Sequence, residues 1–474
     1  MNASPQIEER ARGGWGWLWR RLGGRSEAAL AGPVERCVAT AELLLAESSD
    51  GQAVHIATAL SDMLAALSAD EMALFLQRLA SAFGPDHARL QAAVNDYLNQ
   101  PDGASAAWIG AAAQMRAVEL LRRLNMTPGA TALIVALRAE MLRLGRSEAA
   151  VALLAEETRQ LLSSWFNRGF LRAEKLDWQS PAAVLESIIR FESVHAIDDW
   201  DSLRRRLDGN RRCFAFFHPA MPGVPLIFIE VALTDGMSDR VGPILDGDDR
   251  NVPLDAPTHA MFYSINNCHR GLAGISLGDL LIKQVVLDLR TEFPSLKSFA
   301  TLSPIPGFRT WLTEECRIGR VSDLPEALLD APDLLHDGGA AGPLRDPLTL
   351  LCARYLSGRT ANGGSATVSD PVGRFHLSNG ARLERINWCA DPSPKGVRES
   401  FGLMVNYRYV LDTIDANHRA FVGDGRVAIS SGVAALLDPP SVSRRIARTS
   451  AWIKTAPRPT SRTTTPPASS RHCP

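Results

Sequence analysis

The sequence predicts an α+β protein in which an all-α helical bundle precedes a mixed α/β domain. Residues 34 to about 165 are rich in Ala and Leu and poor in strand signals. After about residue 168, short runs of Phe, Ile and Val alternate with helical spacing. The predicted organisation is a flexible segment (1–33), a helical oligomerisation domain (34–167), a mixed α/β domain (168–440) and a disordered basic tail (441–474).

The composition of the 474 residues excludes several classes of protein. Hydrophobic residues make up 46% and charged residues 22%, which argues against overall disorder. The net charge of −1 lacks the basic excess of a nucleic-acid binder, so no nucleic-acid partner is predicted. The longest apolar run, Val224 to Leu233, is too short for a membrane span and carries Glu230.

The seven cysteines are scattered and show no zinc-ligand spacing, so no metal site is predicted. Reduced thiols are typical of a cytoplasmic protein. The N-terminus shows no signal-peptide pattern. Trp15, Trp17 and Trp19 could touch a membrane surface, although a simple untethered terminus explains them better.

Helical periodicity is clearest in the first half of the chain. Apolar residues of one stretch follow the spacing i, i+4, i+7, i+8 and i+11: Ile56, Leu60, Met63, Leu64 and Leu67.

Ser68 and Glu71 form a capping box for the next helix, which Gly84 and Pro85 end. Further helices are predicted over about 105–124, 130–144 and 147–164. No chemically useful cluster occurs in this half, which favours a scaffold or self-association module, a dimer or tetramer, over a catalytic role.

The second half contains strands around one helix. Residues 212–218 and 225–233 predict a hairpin, and residues 259–266 predict a further strand. Residues 277–293 have helical spacing, and residues 298–306 predict a strand that runs into a proline turn. A helix between two strands implies a crossover with at least partly parallel pairing. The tail from 441 to 474 has seven Lys or Arg and no acidic residue, and disorder explains it better than a nucleic-acid arm does.

A glycine-bearing loop before the predicted helix is the first candidate site. Gly271, Gly274 and Gly278 permit tight turns and close approach of a ligand, and the helix directs its free N–H groups at the loop. Together these features suit a pyrophosphate. The loop has neither a Rossmann nor a P-loop pattern, and a plain tight turn is an equal alternative.

Ser303 is the second candidate, at the end of the strand that follows this helix. Ligands of open sheets with crossovers bind at such strand ends, so Ser303 is expected to face the same mouth as the glycine loop. Pro304 and Pro306 stiffen the turn. The alternative is a hydroxyl that caps a turn, and no G-x-S-x-G elbow supports a serine hydrolase.

His376 is the third candidate, within the segment 374–380. A single His is more often a surface or core residue, so spacing alone does not assign it a role. Nearby, Asn387-Trp388 and residues 402–409 place amide and aromatic groups on predicted strands, where sheet packing is the simplest explanation.

These segments together resemble the malonyl-CoA decarboxylase family. The resemblance is carried by residues 212–233, 262–308, 375–396 and 402–409, which include SPIPGF, FHLSNGA and NYRY. It implies a helical oligomerisation domain and a catalytic, CoA-binding domain with a GNAT-like (acetyltransferase-type) fold. The implied reaction converts malonyl-CoA to acetyl-CoA and CO2.

The resemblance also implies roles for individual residues. Ser303 and His376 match the family's catalytic serine and histidine, and Tyr409 matches an active-site tyrosine. Two departures stand out. Ser276 replaces a glutamate of similar animal proteins, and the C-terminal His-Cys-Pro differs from a Ser-Lys-Leu peroxisomal signal. The implied CoA-binding stretch consists of Ala273, Gly274, Ile275, Ser276, Leu277, Gly278 and Asp279.

The implied chemistry requires no cofactor. Loss of CO2 from a malonyl thioester leaves an enolate whose charge spreads onto the thioester oxygen, so the thioester is the electron sink. The enzyme must stabilise that oxygen and protonate the carbanion carbon. We expect His376 to donate the proton and Ser303 to bind the malonyl group and relay or exchange the proton, an order that sequence leaves open.

Two other functions remain open at this stage. A CoA-dependent N-acyltransferase would share the fold, because fold does not determine chemistry. A non-catalytic acyl-CoA sensor would bind without turnover.

Overall fold

A computed structural model describes residues 32–207, 209–246, 256–275, 278–321, 344–359 and 367–438. The predicted tail (441–474) and residues 1–31 of the predicted flexible segment (1–33) therefore lie outside the described residues. Eight helices of the described residues precede the first strand. They are α1 (Pro33–Ala46), α2 (Asp50–Ala65), α3 (Ala69–Ala82), α4 (His87–Asn99), α5 (Gly103–Ala112), α6 (Arg116–Leu124), α7 (Ala130–Leu144) and α8 (Ala149–Trp165).

Strands are interspersed with helices after residue 171. The strands are β1 (Arg172–Leu176), β2 (Arg211–Phe217), β3 (Ile227–Thr234), β4 (His259–Asn267), β5 (Ser298–Thr301), β6 (Ser303–Pro304), β7 (Arg382–Asn387) and β8 (Met404–Tyr409). The helices are α9 (Ala182–Phe191), α10 (Trp200–Leu207), α11 (Gly242–Asp246), α12 (Gly278–Glu292), α13 (Phe308–Arg317), α14 (Arg345–Ser357), α15 (Pro371–Ser378), α16 (Pro394–Ser400), α17 (Ile414–Asp424) and α18 (Ser431–Leu437).

The chain divides into two compact units. The first comprises residues 1–232 and 264–294, and the second comprises residues 233–263 and 295–474. The first unit therefore contains the helical half, β1, β2, most of β3, and α12 with the loop before it. The second contains most of β4 and all of β5 to β8.

The first unit combines an antiparallel strand group with the helices. β2 pairs with both β1 and β3, so the predicted hairpin is confirmed. Apolar side chains of these strands pack against α9 and α10 around Ile188, Leu203 and Phe228, which are fully buried. The capping box at Ser68 and Glu71 is present at the start of α3, as predicted.

The predicted helix over 105–124 is wrong in one respect, because it is two helices. α5 ends at Ala112 and α6 begins at Arg116. The first N–H groups of α6 donate to residues far away in sequence: Arg116 N to Gly84 O (3.3 Å) and Ala117 N to Phe83 O (2.9 Å). These tertiary hydrogen bonds satisfy the first N–H groups of a new helix. Local periodicity does not reveal the break, because the acceptors are distant in sequence.

The second unit has a mixed strand group in the order β4-β5-β8-β6, with β7 also paired with β8. β4 and β5 are parallel, which confirms the predicted crossover through α12. β8 runs antiparallel to β5, β6 and β7. The predicted α+β class, helices followed by a mixed sheet with helices, is confirmed.

Candidate active site

Ser303 lies in the two-residue strand β6, opposite Val405 of β8. Thr301 ends β5 two residues earlier, so the two side chains project on the same side of the extended backbone. The Ser303 hydroxyl donates to Thr301 Oγ1 (2.8 Å). Both residues are buried, and Thr301 is fully so. This pairing holds the Ser303 side chain in one orientation.

His376 approaches Ser303 from α15. Its Nε2 atom lies 3.2 Å from Ser303 Oγ. Its ring stacks on the ring of Tyr407, with centroids 4.9 Å apart and planes 27° apart. The imidazole is only 3% exposed, so the stack and the surrounding protein define its position.

Tyr409, the last residue of β8, completes the series. Its hydroxyl lies 2.8 Å from His376 Nδ1. Tyr407 and Tyr409 lie two residues apart on β8, so one strand face supplies both the stacked ring and the hydrogen-bond partner of His376. The structure thus brings Ser303, His376 and Tyr409 together in one hydrogen-bonded series.

Burial determines the protonation state of His376. Removal of the ring from water disfavours its charged form and lowers its pKa from 6.5 to about 3. The imidazole is therefore neutral near pH 7 and carries one ring proton. One nitrogen donates while the other accepts, so the ring can pass a proton between Tyr409 and Ser303.

Asp370 was not among the predicted site residues, yet it connects the two sides of the site. Its carboxylate accepts from Gly373 N (2.8 Å), which caps α15, and from Gly307 N (3.3 Å) in the turn after Ser303. Tyr355 OH donates to the same carboxylate (3.3 Å). Burial raises the pKa of Asp370 above its usual value.

Two further supporting residues, Thr301 and Tyr407, were also not predicted from sequence. Thr301 Oγ1 accepts from Tyr407 N (3.1 Å), and Thr301 O accepts from Asn406 Nδ2 (2.7 Å). Nothing local marks Thr301 or Tyr407, because their roles depend on β5–β8 pairing. Asp370 did carry a local signal, since Asp followed by Pro is typical of an N-cap and first helical position.

The glycine loop lies in the first compact unit. Ala273 and Gly274 are exposed, and Gly274 adopts a positive φ of 75° that favours glycine. Ser276 and Leu277 lie outside the described residues, so the departure from glutamate at Ser276 stays untested. Gly278 and Asp279 begin α12. The role of Ala273 to Asp279 in CoA binding stays a prediction.

No cluster of three or more His, Cys, Asp or Glu that could hold a metal occurs within the described ranges. The six cysteines in those ranges are free. No helix in that part of the chain is both long and apolar enough to span a membrane.

Comparison with protein families identifies the family of this chain. Residues 169–447 match the malonyl-CoA decarboxylase C-terminal domain, and residues 83–166 match the N-terminal domain of the same enzyme. The chain belongs to the malonyl-CoA decarboxylase family. The resemblance stated from sequence is therefore confirmed.

Individual malonyl-CoA decarboxylases show the same relationship. The mitochondrial enzyme of Rattus norvegicus is 34% identical over 412 residues, which cover 78% of this chain and 82% of the rat protein. The mitochondrial enzyme of Anser anser anser is 38% identical over 301 residues, which cover 58% of this chain and 59% of the goose protein.

Solved structures of the family extend the match to the fold. The crystal structure of malonyl-CoA decarboxylase from Rhodopseudomonas palustris is similar with a TM-score of 0.78 and 41% identity, over 84% of this chain and 98% of that one. The enzyme from Agrobacterium vitis gives the same TM-score and identity, over 85% of this chain and 100% of that one.

Proposed function

We propose that this chain converts malonyl-CoA to acetyl-CoA and CO2, with Ser303, His376 and Tyr409 as the proton relay. Family membership supports the reaction. The observation that carries the residue roles is the buried series in which a neutral imidazole lies between one serine and one tyrosine hydroxyl.

The first step breaks the bond between the carboxylate carbon and the methylene carbon of the malonyl group. Its electron pair flows into the thioester carbonyl, CO2 leaves, and an enolate remains. Because the thioester accepts the electrons, the step needs no other electron sink. A buried site assists, since a carboxylate loses hydration there while its charge becomes dispersed in the enolate.

The second step protonates the methylene carbon. Ser303 donates its hydroxyl proton to the carbon, His376 Nε2–H replaces it, and Tyr409 O–H restores a proton to Nδ1. Solvent finally returns a proton to the Tyr409 oxygen, and the imidazole proton returns from Nδ1 to Nε2 before the next turnover. A thioester enolate is a much stronger base than a phenolate, so the overall transfer is downhill.

This order differs from the sequence-based expectation that His376 donates directly. With a pKa of about 3, His376 is seldom an imidazolium at neutral pH, so it is a poor preformed acid. Ser303 lies at the end of the hydrogen-bonded series opposite Tyr409, and its hydroxyl donates to Thr301. We therefore assign the last transfer to Ser303 and the relay to His376.

Incubation of the pure protein with malonyl-CoA alone, in deuterated water, tests the reaction. We expect equal amounts of CO2 and acetyl-CoA, with one deuterium in the acetyl methyl group. Turnover that requires an added amine would support an N-acyltransferase instead. Binding of malonyl-CoA without product would support a sensor, and either result would overturn the proposal.

Self-association through the helical domain, as a dimer or tetramer, is part of the proposal. α4 and α5 present exposed apolar side chains: Tyr97, Leu98 and Trp108, of which Leu98 is 72% exposed. We propose these side chains as part of the interface, because exposed apolar surface often marks protein interfaces. Light scattering after gel filtration tests this, since Leu98→Glu should lower the mass of the particle while Leu153→Glu, exposed on α8, should not.

We also propose a cytoplasmic location and a domain boundary at residues 167–168. The free cysteines are consistent with a reducing compartment, and the two family matches meet between residues 166 and 169. The rat relative is named as mitochondrial. Fractionation of cells that express the full chain tests the location, and recovery with mitochondria would contradict it.

A further inference from the structure

The turn before the predicted CoA-binding loop packs directly on the helical half of the chain. Residues Arg270–Leu272 form a single 3₁₀ turn. A Cβ atom at Gly271 would overlap the backbone carbonyl of Val135 on α7, so only glycine fits there. Leu272 is fully buried. The backbones of the turn and of α7 are therefore in direct contact at this point, with no side chain between them.

Arg138 joins this turn to two helices. It lies on α7 and is 2% exposed. Its Nε donates to Ala155 O on α8 (3.1 Å), and its Nη1 donates to Gly271 O in the turn. Burial of a guanidinium is costly unless hydrogen bonds compensate. The guanidinium thus donates hydrogen bonds to backbone carbonyls of α8 and of the turn. These bonds hold the turn against α7 and α8.

The exposed part of the loop begins directly after this anchored turn. Ala273 and Gly274 are open to solvent. Arg159 of α8 runs beside them, with its Cδ 3.4 Å from the position of a Cβ on Gly274. The helical half therefore supports the loop from its buried side and leaves its tip free for a ligand.

We propose that Arg138 is a positioning residue for CoA binding, and that the helical domain takes part in substrate recognition by holding the loop in place. The inference rests on the proposed decarboxylation of malonyl-CoA and on the predicted role in CoA binding of the loop that begins at Ala273. Residues 270–275, which are held against α7 and α8 before the ligand arrives, lose less conformational entropy when it binds, so their anchor contributes to affinity without touching the ligand.

Arg138→Met tests the inference, because it keeps the apolar stem and removes both hydrogen bonds. We expect the Kd of free CoA, measured by calorimetry, to rise at least about tenfold. The KM for malonyl-CoA should rise in parallel while kcat stays within about twofold, since the anchor affects binding and not the chemical step. Arg138→Lys keeps the charge and one donor, so its Kd and KM should lie between those of the wild type and those of Arg138→Met.

Two controls separate positioning from general damage. Arg143→Met changes an exposed arginine of the same helix, which pairs with Glu140, and should bind CoA normally. Leu44→Ala removes a fully buried side chain of α1 and should lower the melting temperature without changing the Kd of CoA. If Arg138→Met does not fold, Arg138→Lys carries the test.

The outcomes distinguish the inference from the function on which it rests. Gly274→Val places a branched side chain at the loop tip and should weaken CoA binding if the loop is the CoA site. If it weakens binding while both Arg138 variants bind CoA like Arg143→Met, the CoA-binding role stands and the inference fails. If Gly274→Val changes nothing, the loop assignment and the inference both fail.

Discussion

At the scale of the residue, burial changes what His376 can do. An exposed histidine would titrate near neutral pH and exchange protons with water. Here desolvation lowers its pKa to about 3, and both ring nitrogens have hydroxyl partners. In the proposed mechanism the side chain is therefore a relay between Tyr409 and Ser303 and not a preformed acid.

Loss of either relay member should abolish most turnover. We expect Ser303→Ala and His376→Asn each to lower kcat at least about 100-fold, the usual contribution of general acid–base catalysis. CoA affinity should change far less. Steady-state CO2 release and calorimetry with CoA measure the two effects.

Ser298→Ala is the matched control for Ser303→Ala. Ser298 is also buried, on β5, but its hydroxyl has no hydrogen-bond partner among the described residues. This variant should retain turnover within about threefold, well below the loss expected for a general acid. Near-normal turnover in both His376→Asn and Ser303→Ala would remove the case for this site.

The lowered pKa of His376 also predicts a pH dependence of stability. Between pH 6.5 and about 3 the unfolded chain binds a proton at this residue and the folded chain does not. The free energy of unfolding should therefore fall as pH decreases through this window, by about 1.4 kcal/mol per pH unit for this residue. Urea unfolding at pH 7, 5.5 and 4.5 measures the slope.

His376→Asn should lack this contribution and show a shallower slope than the wild type. Other histidines whose pKa is lowered by partial burial, such as the half-buried His269, contribute equally to both proteins and cancel in the comparison. His87→Asn, at the exposed start of α4, is the control. Equal slopes in the wild type and His376→Asn would contradict a buried neutral imidazole.

At the scale of the element, α15 and the turn after β6 depend on one carboxylate. Asp370 caps α15, which carries His376, and also accepts from Gly307 in the turn after Ser303. A Cβ at Gly307 would overlap the hydroxyl of Tyr355, so a larger residue there would displace the Tyr355 side chain from Asp370. The spacing between Ser303 and His376 therefore depends on a residue that touches neither.

Asp370→Ala should damage turnover more than its effect on stability explains. Loss of an N-cap costs about 1–2 kcal/mol. We also expect kcat to fall at least about tenfold at unchanged CoA affinity, because small displacements of catalytic groups are costly.

Ser393→Ala removes the N-cap of α16, where Ser393 accepts from Gly396 N (3.1 Å), and is the control. It should lose similar stability and retain turnover. If Asp370→Ala and Ser393→Ala lose the same stability and have the same kcat, Asp370 acts only as the N-cap of α15.

At the scale of the whole molecule, the compact units do not follow the order of the chain. The first unit joins the helical half to residues 264–294, beyond the predicted boundary near 167. Residues 264–294 are anchored to the helical half where α7 contacts the turn Arg270–Leu272, through Arg138 and Gly271.

A fragment of residues 168–440 should therefore be less stable than the full chain. Removal of α7 and α8 exposes the buried turn and deprives Gly271 O of the Arg138 donor. We expect a broad, lowered thermal transition by circular dichroism and weak binding of CoA. A fragment that melts cooperatively and binds CoA as the full chain does would show that the helical half is dispensable for the loop.

Local patterns were sufficient for the type and order of most elements. The helices of the first half, the β2–β3 hairpin and the crossover from β4 to β5 follow from side-chain periodicity, which depends on neighbours in sequence. Ser303 and His376 could be singled out by position and residue type, and the family resemblance added Tyr409.

Tertiary structure alone decided how these residues are placed relative to one another. The break between α5 and α6, the bridge from Asp370 to Gly307 and the anchor from Arg138 to Gly271 join residues that are distant in sequence. The proton state of His376 depends on burial, which no local pattern of charges reports. Sequence by itself determined the elements and the candidate groups, whereas tertiary packing determined their distances and protonation, because both depend on long-range contacts.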